Sequence, residues 1–75
     1  MAPQVWLYSN ELSTFRTVQR PTDDGYEVLL FGSEGERAGH VFNTEAEAAT
    51  FRTAVEARVL KRGLVLVHQP ISPAV

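Results

Sequence analysis

Apolar positions along this chain follow two different periods, and the change between them falls near residue 43. Before it, apolar and β-branched residues come in short runs cut by glycine, proline and aspartate; after it they recur at helical spacing as far as Arg62. Val5-Trp6-Leu7-Tyr8 is the first run, rich in strand formers. Ser9-Asn10-Glu11 reads as a bend, and strand character returns in Thr14 to Arg20. There Phe15, Thr17 and Gln19 share one face, while Arg16, Val18 and Arg20 share the other. The pattern leaves open whether 5–8 and 14–20 are one bent strand or two.

Pro21-Thr22-Asp23-Asp24-Gly25 has turn chemistry at every position and predicts a hairpin loop. Tyr26 to Phe31 is the clearest strand, and its Val28-Leu29-Leu30-Phe31 core is apolar on both faces. Gly32-Ser33-Glu34-Gly35 predicts a second turn. Arg37 to Phe42 follows as a strand weakened by Gly39, with Ala38, His40 and Phe42 on one face and Val41 on the other.

One helix is fully specified, with a start, a body and a stop. Thr44 and Glu47 form a capping box, in which the hydroxyl accepts from the Glu47 N–H and the carboxylate reaches back to the Thr44 N–H. Asn43 is a rival cap one residue earlier. The body, 46–62, holds no glycine or proline, and Gly63 supplies the left-handed residue that ends it, laying Leu64 over Val59. Ala48, Phe51, Val55 and Val59 form its apolar stripe. After the helix, 64–68 reads as a short strand or extended segment, and Pro70 and Pro73 limit regular structure beyond it.

The expected fold is therefore α+β: a three-stranded antiparallel β-meander packed against one C-terminal α-helix, with short N- and C-terminal strands as optional additions. Residues 1–69 make one small domain, and 70–75 are expected to be a disordered tail. A single helix covers one sheet face, yet the Tyr26–Phe31 strand is apolar on both. Tyr26, Val28 and Leu30 share one face; Glu27, Leu29 and Phe31 share the other, which Glu27 marks as the one turned away from the helix. Leu29 and Phe31 are then covered by the Val5–Tyr8 run, by the 64–67 run, or by a partner.

Composition narrows the function classes. Seventy-five residues without cysteine leave no disulfide or thiolate metal site to reinforce a small core. The N-terminus lacks the pattern of a signal peptide, and no apolar run is long enough to span a bilayer, so the expected setting is cytoplasmic and without a membrane. Seven basic against nine acidic side chains give a net charge of −2, which disfavours a free-standing nucleic-acid binder.

Three strands followed by Phe42-Asn43-Thr44-Glu45-Ala46-Glu47-Ala48-Ala49 resemble the AP2/ERF domain and the arm-binding domains of phage integrases. The resemblance spans about 15–63 and is detailed only over 42–49. It implies a DNA-binding activity carried by the sheet face opposite the helix, with Arg16, Arg20 and Arg37 as the nucleic-acid contacts. The central strand departs from that pattern, offering Glu27 and aliphatic residues in place of a basic and aromatic row, beside a turn with Asp23 and Asp24.

Catalytic chemistry finds no support in the motifs. His40 and His68 stand apart from any metal-ligand spacing, the serines lack a neighbouring base, and 32–35 does not match a phosphate loop. No cofactor is implied. Trp6 and Tyr8 suit core or edge-strand packing first and an interface second. The resulting expectation is a non-enzymatic module that binds a protein partner or a second copy, with Trp6, Tyr8, Leu29 and Phe31 as the interface. Nucleic-acid binding through Arg16, Arg20 and Arg37 is the alternative.

Overall fold

A computed structural model of the chain describes residues 3–69. They form β1 (Gln4–Ser9), β2 (Thr14–Thr22), β3 (Gly25–Gly32), β4 (Arg37–Phe42), α1 (Glu45–Lys61) and β5 (Val65–His68). The strands make one antiparallel sheet in the order β4-β3-β2-β1-β5. Both optional terminal strands are therefore present, and the expected three-stranded meander is four strands, β1 to β4, extended by β5. The tail expected at 70–75 lies outside the described residues.

Local chemistry sets each connection. The Asn10 side chain accepts from the backbone N–H groups of Leu12 and Ser13, both at 2.8 Å, and this closes the β1–β2 hairpin. Residues 5–8 and 14–20 are thus two strands. Thr22 pairs with Gly25, so the next loop is only Asp23-Asp24, tighter than the five-residue turn the sequence suggests. Pro21 fits inside β2 because β1 begins at Gln4, opposite Gln19, so among the described residues that end of β2 is paired with β3 alone. Between β3 and β4, Gly35 adopts φ 88° while its N–H donates to Gly32 O at 3.3 Å.

Thr44 is the helix N-cap: its backbone is extended and its hydroxyl accepts from the Glu47 N–H at 3.2 Å. The capping box differs in one bond from the sequence expectation. The Glu47 carboxylate accepts a hydrogen bond from the Thr44 hydroxyl, Oγ1 to Oε1 3.1 Å, instead of from the Thr44 N–H. Thr44→Ala is expected to cost about 1 kcal/mol in urea denaturation, the usual scale for a lost cap, and Asn43→Ala clearly less. At the other end Gly63 takes φ 94° and its N–H donates to Leu60 O at 3.0 Å. Leu64 then joins Val59 and Tyr8 in one buried cluster, with Trp6, Phe15 and Val55 packed against it.

The helix lies on the face formed by Trp6, Tyr8, Phe15, Thr17, Gln19 and Val28. Ala48 is fully buried there, because a methyl group lets the helix backbone approach the sheet. Val59 is buried, whereas Phe51 and Val55 are only half-buried, so the stripe seals less completely than its spacing suggests. Phe51 instead stacks at the sheet margin, its ring centroid 4.5 Å from that of His40 and 5.2 Å from that of Phe42. Thr17 is fully buried and its hydroxyl has no hydrogen-bond partner among the described residues. Thr17→Val should therefore stabilise the domain by roughly 1 kcal/mol, read as a higher denaturation midpoint, because it removes an unsatisfied buried group at nearly constant volume.

Candidate interaction face

Strand alternation assigns every side chain to the helix side or to the opposite side. Opposite the helix, the register aligns Leu7, Arg16, Phe31 and Arg37 in one row across four strands. Beside it runs a row of Val5, Val18, Leu29 and Gly39, followed by Arg20, Glu27 and Val41. Val65, paired with Ser9, extends the surface onto β5. Val5, Leu7, Val18, Leu29 and Phe31 are half-buried by their neighbours in the sheet, while Val41 is 64% and Val65 59% exposed. Neither of the intramolecular covers considered for Leu29 and Phe31 is used. The Val5–Tyr8 and 64–67 runs are strands in the plane of the sheet, so among the described residues nothing lies over this face.

Its electrostatics are uneven. The three arginines of the strands, Arg16, Arg20 and Arg37, all stand on it, against one carboxylate, Glu27. Arg20 and Glu27 face each other across β2 and β3 and form an ion pair, Nη2 to Oε1 2.6 Å. The Arg16 guanidinium lies 4.3 Å from the centroid of the Phe31 ring. Neither Arg16 nor Arg37 forms an ion pair among the described residues. Gly39 leaves a notch beside Leu29, whose Cδ2 would stand 3.2 Å from an added Cβ. The strip is thus apolar at its centre and carries two uncommitted positive charges.

Trp6 and Tyr8 belong to the other side, under the helix, so the four residues suggested as one interface divide into two pairs. Tyr8 is fully buried and its phenol donates to Glu56, while Arg52 Nη1 stands 3.4 Å from the phenol oxygen and 3.3 Å from Glu56 Oε2. The Arg52 guanidinium also lies 3.9 Å from the Trp6 ring centroid. Burial, then the hydrogen bond to Glu56 and its charge, push the Tyr8 phenol well above its ordinary pKa; Arg52 offsets part of this. The cluster holds a proton in place and locks the helix to β1. Arg52 and Glu56 escaped the sequence reading, although both flank the apolar stripe, four residues apart, where an ion pair on one helix face forms.

A cleft of about 490 Å³ opens at the other end of the helix side, with Phe15, Leu30, Val55 and Leu64 in its wall and Arg58 and Arg62 at its rim. Among the described residues no three His, Asp or Glu side chains gather as metal ligands would. No described helix is long and apolar enough to cross a membrane.

No family model matches the chain, and no curated protein or solved structure matches it either. Among the described residues, the helix-free face carries apolar side chains that no other element covers.

Proposed function

We propose that this chain is a non-enzymatic binding module whose helix-free sheet face docks a protein surface. One observation carries the reading: a five-stranded sheet has one helix to cover it, and the uncovered side presents Leu7, Val18, Leu29 and Phe31 in adjoining rows. Sheets of this size bury both faces or make the second one polar, because exposed contiguous apolar surface favours association. Among the described residues the second face is neither covered nor polar at its centre.

A nucleic-acid reading has its own support, since Arg16, Arg20 and Arg37 share this face, the side implied by the AP2/ERF resemblance. It is the weaker reading, because Arg20 is committed to Glu27 and the middle of the face is aliphatic.

Light scattering and affinity capture from the source cells, each run on three forms of the protein, test the proposal. These are the wild type, Leu29→Ser with Phe31→Ser, and a helix-surface control, Thr53→Arg. A complex present in the wild type and the control but lost in the face variant is the expected result. Identical complexes in all three, or none in any, would contradict it.

A further inference from the structure

Building on that reading, we infer that the partner is an acidic amphipathic helix, with two carboxylates about two turns apart bracketing an apolar side chain. Phe31 sits between Arg16 on β2 and Arg37 on β4, in a single register row. Arg16 and Arg37 are two strand spacings apart, about 9.5 Å. Residues seven apart on a helix are separated by about 10 Å along its axis and lie on one face. A helix crossing that row would bring a carboxylate to each arginine and an apolar residue onto Phe31. It would also displace the Arg16 guanidinium from the ring it now shields.

The alternatives fit less well. Two copies stacked through this face would bring six arginines against two glutamates, and both glutamates are already engaged by Arg20. Like charges in a desolvated interface are unfavourable. Duplex nucleic acid would extend beyond the strip at both ends. At one of them it would meet Asp23 and Asp24, in the hairpin loop between β2 and β3, which repel phosphate. A short acidic helix stays within the strip, and its apolar residue uses the aliphatic centre that a phosphate backbone cannot.

Two designed helical peptides provide the test. They share a central leucine and differ only in carrying Glu or Lys at two sites seven residues apart. In fluorescence anisotropy the Glu peptide should bind at least ~10-fold more tightly than the Lys peptide, and the difference should shrink in high salt. Arg16→Glu with Arg37→Glu should reverse the preference, and Arg16→Gln with Arg37→Gln should abolish it, with circular dichroism showing both variants folded. Equal binding of the two peptides, or none, overturns the inference. So does a self-association or a duplex-DNA complex that the Arg16/Arg37 variants remove, although either result keeps this face as the docking site. If neither peptide, DNA nor a second copy depends on the face, the reading of it as a docking site fails as well.

Discussion

Tyr8→Ala is expected to cost about 3–5 kcal/mol of folding stability, the range for emptying a buried aromatic site. That is a large share of the net stability of a domain this small. Tyr8 is fully buried, packs with Val59 and Leu64, and ties β1 to the helix through Glu56. Tyr8→Phe separates the ring from the hydroxyl: it keeps the packing but leaves Glu56 to Arg52 alone, and should cost about 1–3 kcal/mol. The two forms should also differ in alkali. The folded protein holds the phenolic proton more tightly than the unfolded chain, whose tyrosine ionises near pH 10. The Tyr8 contribution is therefore fully present below about pH 10 and is lost as pH rises beyond it. Urea denaturation at pH 8 and at pH 11 should show a steeper alkaline loss in the wild type than in Tyr8→Phe; equal losses would remove Tyr8 from that role.

Gly25→Ala is the second large effect. A Cβ at this position would collide with the Phe42 carbonyl oxygen, which is backbone and has no rotamer to escape into. The cost should reach the upper part of the overpacking range, about 3 kcal/mol, because the end of β4 or the start of β3 must move. Tyr26 pairs with Phe42 next to this contact, and Phe42 carries the stack with Phe51, so the helix start is disturbed too. A denaturation midpoint unchanged from wild type would mean that the two strand ends are looser than the structure shows.

Much of this fold is legible in the sequence because it rests on local rules. Thr44, Glu47 and Gly63 fix the helix within one residue at each end, since caps act over three or four positions. Strand alternation puts Glu27, Leu29 and Phe31 on one face, and the charge of Glu27 marks that face as the side away from the helix. Non-local facts are where the sequence falls short. Nothing local distinguishes a Val5–Tyr8 segment laid over the sheet from one paired at its side; only the register with β2 and β5 decides it. The same pairing turns Trp6 and Tyr8 toward the helix and separates them from Leu29 and Phe31. The short Asp23-Asp24 loop was hidden because Pro21, which reads as a turn residue, is admissible in β2 once β1 has ended. The candidate site was half legible: its apolar pair follows from alternation. The row that places Arg16 and Arg37 on either side of Phe31 required the register of three strands.

Site-specific photo-cross-linking in the source cells tests most directly whether the helix-free face is the working surface. A photoreactive side chain at Val41 or Val18 would report from that face, and one at Thr53, exposed on the helix, from the opposite side. The account predicts a discrete adduct from Val41 and Val18 that Leu29→Ser with Phe31→Ser abolishes, and none from Thr53. An adduct formed from Thr53 while Val41 and Val18 stay unmodified would contradict it and move the function to the helix side.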